Sequence, residues 1–504
     1  MIENQTVMKK IIYFLFILLS FQGYSQVQIG QDIYGDAEHN RLGWSVSLSS
    51  DGTTLAVGAP QLTQSGTTHG NGFVRVYRNV NNNWTQIGSD LIGAELGDEF
   101  GYSISLSSDG TVIAIGAHQP YSNDSKRGYV RLYKNINDVW TQIGSDIFGE
   151  NLGDQFGFDL KLSSDGSIVA IGAPYNDGNG DRSGHVRIYK NMDDVWTQIG
   201  DDIDGEFESD LSGFRVGLSS DGSVVTMSAI SYPNGDGLGQ VRIFKNVNDV
   251  WTQIGDDIYG QLPENNGGNY ELLGNADLKL SADGSLLAVS STIAITGDQG
   301  IGFVRIYKNV NDEWIQVGSD INGETVTDLF GHSFGISNDG SIIAVGAPGN
   351  DANASNSGHV RVFQNINDTW VQVGEDIEGE NVIDGTGTSL SLSSDGFTLA
   401  VTTQSDENGN NSGRVRVYSL VSVLSSTTYD LNSFDIYPNP AKDEFNVQLS
   451  DGTELERVRV HNNIGQLIIE SKELNISTKN WAQGIYFVEV TSNKGRSIKK
   501  LIIE

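Results

Sequence analysis

The 504 residues include no cysteine. This excludes thiol catalysis, disulfide staples and Cys-ligated metal, and a chain of this size can bury a core without disulfides. Proline is scarce at 8 residues, and 31 basic residues face 64 acidic ones, for a net charge of −33. Such a surface repels nucleic acid and anionic lipid, which bind through Lys and Arg clusters, while calcium and basic partners remain electrostatically allowed. The excess lies almost wholly within residues 26–433, and residues 434–504 are nearly neutral. Long apolar runs are absent beyond residue 21, so no transmembrane segment is expected in the mature chain. The single short run, residues 11–21, follows Lys9 and Lys10 and precedes Gly23-Tyr24-Ser25. A basic start, a short apolar core and small residues before a cut make a secretory signal peptide. Residues 1–25 are therefore predicted to be removed, with cleavage between Ser25 and Gln26.

What is abundant points to β structure. Glycine numbers 61, alongside many Ser, Asn and Asp, which is turn-dense composition. Leu-Ser-Ser-Asp-Gly or a close variant occurs seven times, with its aspartate at Asp51, Asp109, Asp165, Asp221, Asp283, Asp339 and Asp395. An alternating segment precedes each turn and an apolar one follows it, a hairpin signal. A third strand comes next, Phe-Val-Arg-Val-Tyr at 73–77 and its six equivalents, then an Asn-rich turn and a fourth strand such as residues 140–147. Six fourth strands begin at Trp84, Trp140, Trp196, Trp251, Trp314 and Trp370, while the seventh repeat has none. Residues 27–33, Val-Gln-Ile-Gly-Gln-Asp-Ile, match the missing strand. Four-stranded repeats closed by the opposite end of the chain predict an all-β, seven-bladed β-propeller over residues 26–420 with no free edge.

The repeats resemble FG-GAP repeats, which build integrin α-subunit propellers and many bacterial surface proteins. The matching residues are Phe100-Gly101, Phe156-Gly157 and Phe330-Gly331, with Gly58-Ala59-Pro60, Gly172-Ala173-Pro174 and Gly346-Ala347-Pro348 downstream. Many members bind calcium in the hairpin between these motifs. Here that hairpin is only Ser-Ser-Asp-Gly, too short to wrap an ion that takes about six to eight oxygens. Residues 434–504 resemble the type A C-terminal sorting domain of type IX secretion cargo from Bacteroidetes-like bacteria. The resemblance rests on Tyr437-Pro438-Asn439-Pro440, residues 458–468, residues 484–490 and the basic close at 498–503. It implies a small β-sandwich, the type IX secretion machinery as partner, and a secreted or cell-surface location after the tail is processed. Residues 421–433, rich in Ser and Thr, are the expected linker.

Candidate chemistry is sparse. Gly331-His332-Ser333-Phe334-Gly335 fits a nucleophile-elbow pattern, but its serine falls inside a repeating strand rather than at a strand-to-helix turn. No catalytic residue is assigned. Arg75, Arg131, Arg187, Arg242, Arg305, Arg361 and Arg416 recur on the third strand, and Asp32, Asp90, Asp146, Asp202, Asp257, Asp320 and Asp376 on the fourth. Once-per-repeat occurrence reads as an ion-pair anchor, and the repeated tryptophans as packing between blades. His185 and His359 share one strand-start position in two repeats, which reads as structural. Asp177, Asn179 and Asp181 alternate as in the first half of a calcium loop, although Ile188 stands where a closing Glu belongs. They are the candidate metal ligands, with calcium as the possible cofactor. Asp351, Asn353 and Ser355 echo them, as do Asp406, Asn408 and Asn410.

Strand order places the second-to-third and fourth-to-first loops on one face. That face carries the varied, acidic loops, including residues 261–274, and is the expected ligand-binding surface. The functional expectation is a non-catalytic binding or adhesion protein for an extracellular glycan or protein. The alternatives are a polysaccharide hydrolase or lyase working in the funnel, and a purely structural surface protein.

Overall fold

A computed structural model describes residues 26–61, 70–119, 126–231, 237–261, 271–292, 301–405, 411–424, 434–449, 455–462, 466–492 and 495–503. The expected signal segment at 1–25, most of the 261–274 loop and residues 406–410 and 425–433 lie outside the described residues. Residues 26–419 form seven antiparallel sheets of five strand segments each. In the first sheet, Ser45–Leu48 pairs with Thr54–Ala59, which pairs with Phe73–Val80, which pairs with both Asn83–Gln86 and Leu91–Ile92. The turn between the first two strands is fixed locally. Asp51 Oδ1 accepts from Ser49 Oγ at 2.7 Å and from the Thr53 N–H at 2.9 Å, and Gly52 takes a φ of 68° that glycine adopts freely.

The sheets are held to one another by the residues that repeat. The backbone N–H of Ser50 donates to Ser108 O, Ser108 to Ser164, Ser164 to Ser220 and Ser220 to Ala282, all at 2.8 Å. Asn338 donates to Ser394 O, and Ser394 returns to Ser50 O at 3.1 Å, so the last sheet meets the first. Serines on the first strands add cross-links: Ser45 Oγ donates to Gly101 O at 2.7 Å and Ser103 Oγ to Gly157 O at 2.8 Å. The first strand of each sheet is thus the innermost, lying beside its counterparts. The second strands are buried along their length, Thr54–Ala59 wholly and only Ile168 and Leu286 at strand starts partly exposed, because a neighbouring sheet covers each face.

The fourth strand departs from expectation. It is not continuous but breaks into two segments, Val139–Gln142 and Ile147–Phe148 in the second sheet, with Gly144 at a φ of 71° between them. The glycine position is also where the next sheet arrives. A Cβ on Gly88 would stand 2.8 Å from Trp140 Cδ1, and the Trp140 indole N–H donates to Ile87 O at 3.2 Å. Trp84, Trp196, Trp251 and Trp314 donate to the preceding sheet in the same way. The tryptophans therefore bridge sheets, as the repeat pattern predicts.

Closure follows the sequence reading. Val27–Gln28 pairs with Ser419 and Tyr418, and Ile33–Tyr34 with Val415 and Arg414. In place of a tryptophan, the helical turn Val421–Leu424 covers the last sheet, with Leu420, Val421 and Val423 wholly buried. Residues 421–424 are therefore part of the packed ring and not linker. Beyond it, Phe434–Tyr437, Glu444–Leu449 and Asn475–Ser477 form one sheet, and Leu467–Ser471, Leu455–Asn462, Gly484–Ser492 and Gly495–Ile503 a second. Phe445, Val458, Val488 and Leu501 join both in one buried cluster.

Candidate functional site

The recurring arginines and aspartates meet in five sheets. The Arg–Asp distances are 3.0 Å for Arg75–Asp90, 2.7 Å for Arg131–Asp146, 3.2 Å for Arg187–Asp202, 2.6 Å for Arg305–Asp320 and 2.9 Å for Arg416–Asp32. Two sheets differ. Arg242 donates to Asp204 O at 2.6 Å, while Gln240 donates to Asp257 at 2.8 Å in its place. Arg361 turns to Glu324 at 3.1 Å and Asn322 O at 2.9 Å, and Asp376 takes the Gln372 amide at 2.6 Å. The Arg–Asp pair is therefore dispensable, whereas the fourth-strand aspartate takes the amide of the Gln four residues before it in all seven sheets. These are scaffold contacts: the Asp146 carboxylate and then the Tyr133 side chain raise the Arg131 pKa against the opposing effect of burial.

A second acidic series escaped the sequence reading. Asp98, Asp154, Asp210, Asp328 and Asp384 are essentially unexposed, and Glu271 and Asn40 hold the same place in the other two sheets. Each of the five aspartates caps its own entry loop. Asp98 Oδ2 accepts the Glu95 N–H at 2.9 Å, Asp154 that of Asn151 at 2.8 Å and Asp328 that of Thr325 at 3.0 Å. The signal was present in the chain as an acidic residue two positions before Phe100, Phe156 and Phe330.

The predicted calcium residues serve their loop. Asp177 Oδ1 accepts the Arg182 N–H at 2.8 Å, the Asn179 amide donates to Gly205 O at 2.7 Å, and Asp181 O accepts the Ser209 N–H at 2.7 Å. Asp351 and Asn353 repeat this arrangement, Asp351 accepting the Asn356 N–H at 2.7 Å and Asn353 donating to Gly379 O at 2.7 Å. The 406–410 echo lies outside the described residues, as do residues 262–270 of the long loop. At the flank of that loop Glu271 binds Arg305 at 3.0 Å. Ser333, of the elbow-like pattern, is 8 % exposed in a strand and donates to Gly387 O at 2.8 Å, so it is a cross-link between sheets.

The chemically distinctive place is the mouth of the ring on the varied-loop face, where each innermost strand begins. The residue after the Phe-Gly position changes from sheet to sheet, and four consecutive sheets supply Trp44, Tyr102, Phe158 and Phe214. Ring centroids are 5.5 Å apart for Trp44–Tyr102, 5.4 Å for Tyr102–Phe158 and 4.8 Å for Phe158–Phe214. Trp44, Tyr102 and Phe214 are partly exposed. Cations flank the arc: Arg41 Cζ lies 5.5 Å from the Trp44 ring and Arg215 Cζ 4.9 Å from Phe214. Burial raises the Tyr102 phenol to about 12, so it is a neutral hydroxyl. Behind Tyr102, His118 packs at a ring-centroid distance of 3.9 Å, tilted by 39°, and lies 3.6 Å from Glu99. Burial pushes Glu99 up to about 8 and His118 down to about 3, so the two meet as neutral groups.

The opposite side of the mouth is polar. Burial and then Arg215 lower His332 to about 4. Asp277 and Lys279 pair at 2.7 Å, and Asp277 also accepts the Phe334 N–H at 3.0 Å and the Leu278 N–H at 2.8 Å. On the aromatic side, beside Phe158, Asp159 accepts the Val216 N–H at 2.8 Å and the Leu160 N–H at 3.0 Å. These carboxylates are engaged by the strands around them.

Comparison with known proteins separates the tail from the ring. Residues 435–504 match the secretion system C-terminal sorting domain. This domain marks proteins secreted and attached to the outer cell surface, and that is where the protein is placed. No curated protein matches the sequence. Among solved structures, the periplasmic gluconolactonase of Pseudomonas aeruginosa is 16% identical, with 67% of this chain and 85% of that chain covered and a TM-score of 0.45. U3-55K is 11% identical, with 77% of this chain and 98% of that chain covered and a TM-score of 0.48. At these values neither carries an argument about activity.

Proposed function

We propose that the protein is a surface-displayed, seven-bladed β-propeller of FG-GAP type, closed by its own N-terminal strand and followed by a β-sandwich tail, that binds an extracellular glycan without turning it over. The observation that supports glycan binding is the arc Trp44–Tyr102–Phe158–Phe214. A row of ring faces with a neutral hydroxyl and flanking guanidinium groups suits the apolar faces and hydroxyls of sugar rings. The site belongs to the loop-bearing face of a rigid ring, where variation does not disturb the scaffold.

The test is binding of the exported protein to an array of neutral and acidic polysaccharides, with Trp44→Ala and Phe214→Ala alongside. Each substitution is expected to weaken binding by about 2–10-fold, since an aromatic contact contributes about 0.5–1.5 kcal/mol beyond its buried area. Undiminished binding in the double variant would remove the arc from the site. A hydrolase or lyase is the second reading, favoured by the Asp277–Lys279 pair, whose carboxylate acts electrostatically on His332. New reducing ends or unsaturated products from a bound polysaccharide would establish it in place of the first.

A further inference from the structure

Two clusters between sheets each hold a histidine that neither scaffold nor mouth explains. Glu150, His185 and Asp202 form one, and Glu324, His359 and Asp376 the other, each set offering three ligand atoms within 4.8 Å of one another. In each, the Glu comes from the connection leaving one sheet, while the His and Asp belong to the next. Both imidazoles are 0% exposed, and neither ring nitrogen of either has a hydrogen-bond partner. Buried polar atoms are rarely left so, and two orphaned nitrogens at the same place in two sheets need a common cause.

Of the other five sheets, three place an aromatic ring here, Phe73, Tyr129 and Phe303, and two a nitrogen donor. In the seventh sheet Arg414 occupies it, 3.1 Å from Glu380 and 3.7 Å from Asp32, the equivalents of Glu150 and Asp202. In the fourth sheet Gln240 occupies it and donates to Glu206 and Asp257, both at 2.8 Å. Either way positive charge or an N–H donor faces the two carboxylates. A neutral histidine fills the space yet offers one nitrogen as a bare lone pair. The two histidine sheets also place a further carboxylate opposite the ring, Asp204 beside His185 and Glu378 beside His359, where other sheets have Ile92, Phe148, Tyr259, Asn322 and Tyr34. Arg187 shares Glu150 and Asp202, and Arg361 shares Glu324. One guanidinium still leaves the carboxylates in excess, and although the Arg187 Nε–H reaches both oxygens of Asp202, each carboxylate oxygen carries a further lone pair to give.

We propose that these clusters are two equivalent sites for a divalent transition-metal ion of the zinc class, each held by one imidazole nitrogen and two carboxylates. Imidazole with carboxylate oxygen is a donor set for such ions. The spacing also fits. His185 Nδ1 lies 3.4 Å from Asp202 Oδ2, and His359 Nδ1 3.5 Å from Asp376 Oδ2, beyond a good hydrogen bond. Ligands at about 2.0–2.2 Å in a tetrahedral set stand roughly 3.3–3.5 Å apart. Bound there, the ion ties the connection between two sheets to the sheet that follows, at the second–third and fifth–sixth junctions.

The exported protein, stripped with a chelator and dialysed, is titrated with Zn2+ by calorimetry and with Co2+ by visible absorption. Two ions per chain are expected, with Co2+ d–d bands of a nitrogen–oxygen site. His185→Gln and His359→Gln should each lower the stoichiometry to one, and the double variant to none. Glutamine is chosen because the fourth sheet already uses it there, and unfolding of the metal-free variants checks that the ring is intact. His359→Arg, copying the seventh sheet, should abolish the second site equally. Absence of stoichiometric Zn2+ or Co2+ binding, binding that survives the double variant, or binding of Ca2+ alone would overturn the proposal.

Discussion

At one end of each innermost strand stands the same Ser-Ser-Asp-Gly turn or a near copy, and at the other a residue that differs in almost every sheet: Trp44, Tyr102, Phe158, Phe214, Asn275, His332, Thr388. The uniform end carries the backbone bonds that pass from Ser50 to Ser108 to Ser164 and onward, so the turn there must keep one backbone geometry for the next sheet to join it. The variable end faces the mouth, where a side chain meets solvent or its neighbours across the opening. The same strand is thus constrained at one end and free at the other. Repetition marks the parts that join sheets, and departure from repetition marks the parts open to a ligand.

Substitutions can break or sharpen that contrast. The largest effects belong to the joints. Arg305 is 3% exposed between Glu271 and Asp320, and Arg305→Ala leaves both carboxylates without their cation. A loss of roughly 3–5 kcal/mol in denaturant unfolding is expected. Trp140→Ala should cost about the same, roughly 3–5 kcal/mol, by emptying the seat over Gly88. Trp370 has no partner for its indole N–H and is more exposed, so Trp370→Ala should cost visibly less in the same assay.

A smaller effect is set by pH behind the arc. Glu99 is raised from 4.5 to about 8 by burial, so the folded chain keeps a proton that the unfolded chain has released. Stability therefore falls as pH rises through that interval. His118 is lowered by burial from 6.5 to about 3 and works in the opposite sense below 6.5, where the unfolded chain binds the extra proton. His332, lowered from 6.5 to about 4, does the same. The window from about 6.5 to about 8 belongs to Glu99, and Glu99→Gln should flatten the decline of Tm there. The smallest stability change is expected at the mouth. Trp44 is partly exposed, and Trp44→Ala should shift unfolding by less than about 1 kcal/mol while weakening glycan binding. A large stability loss at Trp44 would show that the variable end is scaffold after all.

The repeat itself was readable because its devices are local. An Asx-capped turn, alternation about it and an Arg-bearing third strand depend on residues within one unit, and seven copies made each visible. The N-terminal strand was readable for the same reason, since residues 27–33 copy residues 85–91. The break at Gly144 was not, because the glycine answers to Trp196 of the next sheet, whose Cδ1 stands 2.9 Å from a Cβ built there. Nor was the buried series from Asp98 to Asp384, whose burial depends on neighbouring sheets closing over it. His185 and His359 were visible as an equivalent pair, but their carboxylate neighbours Glu150 and Glu324 arrive from the preceding sheet's connection, 35 positions earlier in each case.

The sequence by itself determined the repeating β unit and its export, because turn chemistry, strand alternation and a sorting tail are written in short stretches of chain. Tertiary structure alone decided which aromatics share an arc, which arginines leave their aspartate, and where two histidines lie unpaired among carboxylates. Those outcomes depend on distances between sheets, and such distances follow from packing over the whole ring rather than from any one repeat.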